Sequence, residues 1–219
     1  FGIPGQTMED FSQDLEESLA NDPNHLSLYG LEIYPGTPFF HDQQIREMQS
    51  ERSELERELY LQALHKTASM SLIQYEVSNF AKADFQSRSN LKVWDGQPYL
   101  GLGCGAHSFD GVNRWGNVRS MRKYMESVGR EEPPRDFMET PTRLQQASER
   151  LMLSLRRPEG LNILSWQEEF QIGLSLEQKN QMEKLKDQDL VSWESPMLKL
   201  TTEGMLLADA ITAELMPEA

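Results

Sequence analysis

The middle of the chain carries aromatic, polar and glycine residues in an arrangement typical of a binding site. An apolar run ends at Tyr75, polar and aromatic residues follow it, and a glycine-rich turn then leads to a histidine and a serine. Glycines lack a Cβ, so they let the backbone approach a ligand or another strand closely. A tight turn at a sheet edge explains the glycines equally well. The residues that could act here are Tyr75, Asn79, Asn90, Trp94, Gly105, Ala106, His107 and Ser108.

The glycine turn at 101–106 satisfies the spacing of the dinucleotide-binding fingerprint GxGxxG/A. That fingerprint requires a hydrophobic strand before it and a helix after it. Gly96 and Pro98 interrupt the approach, and Asp110 with Gly111 turns the chain where the helix would begin. We therefore do not expect a dinucleotide site.

The residues before this turn alternate between strand and helix patterns. The predicted elements are a strand end at Phe1-Gly2, a helix after Thr7 with Asp10 in its cap, a strand over 26–31, a helix over 51–69 and a strand over 72–77. Such alternation is typical of a (β/α) barrel or an open α/β sheet, in which ligands bind at the carboxyl ends of the strands. Glu32 and the Ser78-Asn79 pair fall at such ends.

From about residue 140 the pattern becomes rich in helices. The predicted elements are a helix that starts at Thr140-Pro141, a helix over 163–170, a helix from Ser175 to near Asp189, a hairpin over 190–201 and a final helix marked by Leu207, Ile211 and Leu215. This order is typical of a winged-helix-like unit. Residues 140–219 carry more acidic than basic side chains, so we do not expect the unit to bind DNA. The predicted domains are 1–139 and 140–219.

Composition limits the possible functions. A net charge of −14 opposes binding to phosphate backbones, so no nucleic-acid partner is expected. One cysteine and four scattered histidines give neither a disulfide framework nor a metal-ligand spacing. No apolar run approaches the roughly 18–20 residues that a membrane span needs, and we expect a cytoplasmic protein. The first residue is Phe1 rather than methionine, so we expect a piece of a longer protein.

In order and spacing, the motifs resemble the oxygen-independent coproporphyrinogen III oxidase family of radical S-adenosylmethionine (SAM) proteins. The heme-chaperone branch of that family is the most similar. The residues that carry the resemblance lie at 2–7, 25–29, 35–38, 75–81 and 105–108. The resemblance implies an α/β fold, in which the C-terminal part of an incomplete (β/α) radical SAM barrel precedes a small winged-helix-like, α-rich domain.

The resemblance also implies cofactors. In the full-length proteins a CxxxCxxC loop holds a [4Fe-4S] cluster that cleaves SAM, and heme is a further possible ligand. No such loop is present here, because Cys104 is the only cysteine, so we expect neither metal ligands nor catalytic residues in this stretch. By the resemblance the residues near SAM are Glu32, Gly105, Ala106, His107 and Ser108. The candidates for a substrate or heme pocket are Tyr75, Asn79, Asn90 and Trp94.

Two positions differ from the heme-chaperone pattern His-Asn-x-x-Tyr-Trp. Ser89 stands in place of the histidine that is implicated in holding heme, and Val93 stands in place of the tyrosine. Serine cannot provide an imidazole to iron, so His107 becomes the nearest alternative ligand. The structural alternative for His107 is a ring hydrogen-bonded to a nearby carbonyl, because a lone histidine is weak support for a metal site.

Three hypotheses about function follow. The first is a heme-chaperone-like role in heme trafficking or insertion, with heme and heme-accepting proteins as partners. The second is oxidative decarboxylation of coproporphyrinogen III to protoporphyrinogen IX. The third, from another class, is a binding or scaffold module without radical chemistry. The sequence leaves the oligomeric state open.

Overall fold

The computed structural model describes residues 1–42 and 49–217, with the side chains of 49–53 left out of the description. These residues form two compact units, Phe1–Gln86 and Ser87–Ala219. No helix in the described part is both long enough and apolar enough to cross a lipid bilayer.

The first unit combines three described helices with one three-stranded sheet. Its helices are α1 (Met8–Leu19), α2 (Pro38–His41) and α3 (Gln49–Ser69), and its strands are β1 (His25–Ser27), β2 (Ile73–Glu76) and β3 (Asn79–Ala81). The strand order is β1-β3-β2, and β3 is antiparallel to both neighbours. β1 and β2 therefore run in the same direction.

The two long helices form as the sequence predicts. Thr7 and Asp10 make a reciprocal capping box at the start of α1, which satisfies two backbone groups that the first turn leaves unpaired. Side chains spaced by four residues then form the core between the helices and the sheet. Its fully buried members are Phe11, Leu15, Leu19, Leu59, Ala63, Leu72 and Phe80.

The strand predicted over 26–31 is shorter in the structure, because regular pairing with β3 ends at Ser27. The chain beyond it remains paired on its other side. The terminal amino group of Phe1 donates to the Tyr29 carbonyl at 2.8 Å, and the N–H of Leu31 donates to the Phe1 carbonyl at 2.8 Å. These two bonds have the pattern of a parallel strand pair, as expected for a strand that ends at Phe1.

β3 was not predicted, and it changes the pairing of the sheet. Only Val77 and Ser78 separate β2 from β3. A connection of two residues can join antiparallel strands but is too short for a parallel crossover. β3 therefore folds back between β1 and β2, which the sequence pattern alone would place side by side.

The second unit contains two antiparallel sheets and seven described helices. The first sheet has the order β4-β5-β6, with β4 (His107–Phe109), β5 (Arg114–Asn117) and β6 (Arg135–Glu139). The second has the order β7-β9-β8, with β7 (Leu161–Asn162), β8 (Val191–Glu194) and β9 (Met197–Leu200). The helices are α4 (Arg88–Trp94), α5 (Met121–Gly129), α6 (Arg143–Leu155), α7 (Ile163–Phe170), α8 (Leu176–Asp187), α9 (Thr202–Leu206) and α10 (Ala208–Leu215).

α8 ends at Asp187, close to the predicted end near Asp189. Two other details of the winged-helix-like prediction are corrected. α6 begins after Thr142, which forms a capping box with Gln145, whereas Thr140 instead donates from Oγ1 to Asn113 Oδ1 at 2.6 Å. Leu207 lies between α9 and α10 and is 48% exposed, so it does not belong to the buried face of the last helix.

The compact units divide at 86/87, whereas the predicted domains divide at 139/140. Arg114 of β5 pairs with Glu139 of β6 at 2.7 Å and with Glu149 of α6 at 2.8 Å. These contacts join the sheet of residues 107–139 to the first helix of the α-rich region. The predicted domain boundary at 139/140 stays a prediction.

Candidate functional site

The sheet of the first unit has one apolar face and one polar face. Leu26 and Phe80 pack with α1 and α3 in the core. Because side chains alternate across a strand, the neighbouring His25, Ser27 and Asn79 lie on the opposite face. In a (β/α) barrel the face away from the helices lines the interior, where strand-end residues contact ligands.

Three residues form a transverse row on this polar face. Ser27 pairs with Asn79 across β1 and β3, and Asn79 pairs with Glu76 across β3 and β2. Ser27 Oγ donates to Asn79 Oδ1 at 2.5 Å, and Asn79 Nδ2 donates to Glu76 Oε1. The row lies at the carboxyl ends of β1 and β2, where the sequence predicts a site.

Glu76 is the chemically unusual member of the row. It is only 1% exposed, and within the part of the chain that the structure describes no ion pair joins it to a basic residue. Burial raises the pKa of its carboxyl group, although hydrogen bonds from Asn79 and from the Ser78 backbone N–H oppose this shift. A carboxyl group held in this way is common at functional sites.

Tyr60 and Gln74 pack close to this carboxylate. Gln74 Nε2 donates to Tyr60 Oη at 2.6 Å and to the Val77 carbonyl at 3.2 Å. Burial raises the pKa of Tyr60, the hydrogen bond from Gln74 opposes the rise, and the charge of Glu76 adds to it. The raised pKa keeps the phenol neutral, so Tyr60 does not add a second negative charge beside Glu76.

Tyr75 lies on the polar face through a contact with His25. The Tyr75 hydroxyl and His25 Nε2 are 2.7 Å apart, and the two rings meet edge to face with centroids 5.7 Å apart. Tyr75 is 3% exposed. The structure thus brings Tyr75 and Asn79, both predicted pocket residues, to one face of one sheet.

Glu32 lies apart from this row, in the segment without regular structure that follows the Phe1 pairing. Its side chain is exposed and accepts a hydrogen bond from the Tyr34 hydroxyl. Its predicted contact with SAM stays a prediction.

In the second unit the glycine turn is fixed by side chains from three other elements. The Gly101 N–H donates to Ser108 Oγ at 2.9 Å, and the Gly103 N–H donates to the Tyr124 hydroxyl at 3.1 Å. Asn117 Nδ2 donates to the Gly103 carbonyl at 2.9 Å. The turn leads into strand β4 and not into the helix that a dinucleotide-binding loop requires.

The backbone of the turn carries the remaining predicted SAM contacts. The Gly105 N–H donates to the Val118 carbonyl at 3.0 Å, and the Ala106 carbonyl accepts from the Asn117 N–H at 2.9 Å. Ser108 is fully buried, so its role in this structure is to hold Gly101 rather than to meet solvent.

His107 is exposed, and its ring makes no hydrogen bond to another of the described residues. Its edge faces Phe137, with ring centroids 5.5 Å apart. Phe137 lies across Gly116, where an added Cβ would come within 2.4 Å of the phenyl ring. The imidazole therefore contacts an aromatic ring and no carbonyl among the described residues, which leaves its nitrogens available to coordinate a metal ion.

Asn90 and Trp94 both lie in α4. Ser87 caps the start of the helix, because its Oγ accepts from the Asn90 backbone N–H at 3.3 Å, and its hydroxyl also donates to Asn90 Oδ1 at 3.1 Å. Trp94 is half-buried at the end of the helix. Ser89, at the position of the heme-chaperone histidine, is exposed. The Asn90 side chain thus takes part in the hydrogen bonding at the start of α4, and its pocket role stays a prediction.

A cavity of about 140 Å³ lies next to α4 in the second unit. Val93, Tyr99, Phe109 and Met152 give it apolar walls. The guanidinium of Arg114 also reaches the cavity, but two glutamates already neutralise it. Glu149 also lines the cavity, so its charged wall is an ion-paired cluster with two carboxylates for one guanidinium, and it does not present an unpaired positive charge.

Sequence reasoning missed Ser27 and Glu76. The alternation of His25 and Ser27 with the apolar Leu26 and Leu28 was the available signal, since it marks a strand with one polar face. Among residues 1–42 and 49–217, no three or more His, Cys, Asp and Glu side chains are grouped to hold a metal ion.

No family model matches the chain. Individual proteins do match it along almost its whole length. The chain is 30% identical over 219 residues to heme chaperone HemW of Bacillus subtilis, a match that covers 100% of the chain and 58% of that protein. It is 26% identical over 211 residues to heme chaperone HemW of Lactococcus lactis, with 96% and 55% covered. It is 28% identical over 233 residues to the mitochondrial radical S-adenosyl methionine domain-containing protein 1 of Danio rerio, with 100% and 52% covered.

A solved structure has the same fold. The match is to coproporphyrinogen III oxidase (HemN) from Escherichia coli, described as a radical SAM enzyme, with a TM-score of 0.75 and 16% identity. It covers 99% of this chain and 53% of that chain. The predicted resemblance and fold class are thus confirmed: the chain has the fold of part of a radical SAM enzyme. It spans a little over half the length of the curated relatives it matches.

Proposed function

We propose that this chain is the C-terminal portion of a radical SAM protein that binds heme and passes it to other proteins, as a heme chaperone does. The observation that carries the proposal is similarity along the whole chain to proteins named heme chaperone HemW, at 26–30% identity. Transfer of heme to an accepting protein is the corresponding activity of the whole protein.

The residues of this chain do not fit a [4Fe-4S] cluster. Such a cluster needs several cysteine thiolates, and Cys104 is the only cysteine in the sequence. We therefore derive no step through a cluster from these residues, and on this proposal its ligands belong to another part of the protein.

The residues present do fit SAM, which is a cationic molecule with several hydrogen-bond donors. The polar face of the first sheet ends in a buried carboxylate without a cationic partner among the described residues, joined to Asn79 and to the exposed Ser27. When bound, SAM would supply the 5′-deoxyadenosyl group that becomes the radical. This chain's part is to bind and orient the molecule at the strand ends.

Heme binding would use His107 as the iron ligand. The side chain is exposed, carries no hydrogen bond to a described residue and lies against the aromatic edge of Phe137. Neutral imidazole is the usual protein ligand of heme iron. Ser89 stands where the heme-chaperone pattern has histidine, and serine has no imidazole to coordinate iron. His107 is therefore assigned as the iron ligand in its place.

A heme titration tests this assignment. Heme added to the protein that carries this chain should give a shifted Soret band, and His107→Ala should abolish the shift. His65, exposed on α3, offers a matched control, and His65→Ala should leave the titration unchanged. An unchanged Soret band in His107→Ala would refute the role of His107.

The oxidase alternative predicts a different result. Coproporphyrinogen III, SAM and a reductant should yield protoporphyrinogen IX if the protein is an oxidase, and this product would refute the chaperone proposal. Heme uptake without turnover supports it. A protein that binds neither heme nor SAM would instead be the binding or scaffold module of the third hypothesis.

A further inference from the structure

The row of Ser27, Asn79 and Glu76 is not required by the core of the first unit. The side chains of Ser27 and Asn79 lie on the face away from α1 and α3, whereas the core lies between the sheet and those helices. Glu76 lies at the end of β2, close to Tyr60 of α3, and is not part of that core. Burying a carboxylate away from water is unfavourable unless it interacts with a partner. A chain of hydrogen bonds that leads from this carboxylate to an exposed hydroxyl therefore calls for an explanation in terms of a ligand.

The donors and acceptors of the row have one consistent assignment. Glu76 Oε1 receives the backbone N–H of Ser78 at 3.2 Å, so this oxygen is an acceptor. The amide nitrogen of Asn79, rather than its oxygen, must therefore face Glu76. The amide oxygen then faces Ser27, and because it cannot donate, the Ser27 hydroxyl donates its proton to it.

This assignment fixes what Ser27 offers to a ligand. The hydroxyl proton is committed to Asn79, so the lone pairs of Ser27 Oγ remain for an incoming donor. The side chain is exposed at the end of β1, and the nearby carboxylate gives the site a negative electrostatic potential. A group that donates hydrogen bonds is favoured there, and an anionic group such as phosphate is disfavoured.

The row does not activate Ser27 as a nucleophile. A serine nucleophile needs a neighbouring base that takes its proton, and the amide of Asn79 has no basic atom. The arrangement orients the hydroxyl without deprotonating it.

We propose that Ser27 is a binding residue that accepts a hydrogen bond from a hydroxyl or ammonium group of SAM, and that Asn79 and Glu76 are positioning residues that hold it in the accepting orientation. The inference rests on the proposed radical SAM function and extends it to three residues of this chain. The ribose hydroxyls and the ammonium group of the methionine part of SAM are the two sources of such a donor.

Calorimetric titration with S-adenosylhomocysteine, which binds without being cleaved, tests the binding role in the protein that carries this chain. Ser27→Ala should weaken binding about 3- to 10-fold, as expected for one lost hydrogen bond. Ser27→Thr keeps the hydroxyl and should restore most of the affinity. Ser18→Ala, which removes an exposed hydroxyl from α1 of the same unit, should leave the affinity unchanged.

Two smaller ligands identify the donor. 5′-Methylthioadenosine keeps the ribose hydroxyls and lacks the ammonium group, whereas methionine has the ammonium group and lacks the ribose. Ser27→Ala should weaken whichever ligand supplies the donor. Equal affinity of wild type and Ser27→Ala for S-adenosylhomocysteine would overturn the inference and leave the proposed function standing. If the wild-type protein binds no S-adenosylhomocysteine, the inference falls and so does the SAM part of the proposed function.

Glu76→Gln separates positioning from a structural role. Glutamine keeps the size of the side chain and removes the buried charge, so resistance to unfolding at pH 7.5 should rise. Affinity for S-adenosylhomocysteine should fall about 2- to 5-fold, because the acceptor site loses its negative potential. Opposite changes in stability and affinity support the positioning role. Affinity that is unchanged, or that changes in the same direction as stability, would overturn it.

Discussion

Gly101→Ala is the perturbation whose effect the structure defines most closely. A Cβ added at Gly101 would lie 2.1 Å from the His107 carbonyl oxygen. An ordinary carbon–oxygen contact is about 3.3–3.6 Å, so the two backbone segments must separate by more than an ångström. The Cβ is fixed to the Gly101 backbone and the oxygen belongs to the His107 backbone, so no side-chain rotation can relieve the contact.

The cost follows from the bonds that hold the two segments together. The Gly101 N–H donates to the fully buried Ser108 hydroxyl at 2.9 Å, and the neighbouring Tyr99 and Phe109 exchange two backbone hydrogen bonds. Losing one hydrogen bond and straining the packing each cost about 1–3 kcal/mol. We therefore expect Gly101→Ala to lower the free energy of unfolding of the second unit by about 2–6 kcal/mol.

Urea denaturation followed by tryptophan fluorescence measures this change. All tryptophans of the chain lie in the second unit, at positions 94, 115, 166 and 193, so their signal reports on that unit alone. Gly129→Ala is the matched control, because a Cβ at Gly129 meets no atom within 4 Å and the residue ends a helix. Gly129→Ala should leave the free energy of unfolding of the second unit unchanged or raise it slightly. Equal midpoints for the two variants would refute the close approach of Gly101 to β4.

Three further predictions concern other parts of the chain. Ser71 follows α3 with a φ of 61°, a conformation that favours glycine. Ser71→Gly should therefore stabilise the first unit by about 0.5–1 kcal/mol in urea denaturation followed by circular dichroism. A loss of stability would contradict this. The raised pKa of Glu76 means that wild-type stability falls as pH rises from the unfolded-state pKa of about 4.3 through the higher native-state pKa. The stability difference between Glu76→Gln and wild type should therefore be more favourable at pH 8 than at pH 4, and a difference independent of pH would refute the burial argument. Trp166→Phe should cost about 1–3 kcal/mol in fluorescence-detected melts, because the buried Ala147 carbonyl loses its indole donor at 2.9 Å; a change below about 0.5 kcal/mol would show that this bond is replaced.

Local signals in the sequence predict most of the helices. The capping box at Thr7 and the buried face of α1 are set by residues within two turns of one another, and the same holds for the capping box at the start of α8. Such short-range patterns can be read without knowledge of the tertiary fold. The start of α6 was misplaced by two residues because Thr140-Pro141 and Thr142 both provide start signals.

The missed strands show where local signals end. β3 has three residues, and its place between β1 and β2 follows from pairing with two segments, one of them more than fifty residues away. The turn before β4 is similar, because its partners Asn117 and Tyr124 follow it in the chain. Pairing of this kind is a tertiary property that strand propensity does not contain.

The candidate site was predicted in part for the same reason. Tyr75 and Asn79 stood out by residue type, and the structure places them on one polar face. Glu76 was missed because a shift in register between Gln74 and Glu76 breaks the alternation of β2. Ser27 was missed because a single serine in a short strand is unremarkable until its partner across the sheet is known.

Titration of heme and of coproporphyrinogen III into the protein that carries this chain separates a heme chaperone from an oxidase in one experiment. We expect a stoichiometric Soret shift with heme that depends on His107, and no loss of carboxyl groups from coproporphyrinogen III in the presence of SAM and reductant. Formation of protoporphyrinogen IX without heme uptake would contradict this expectation.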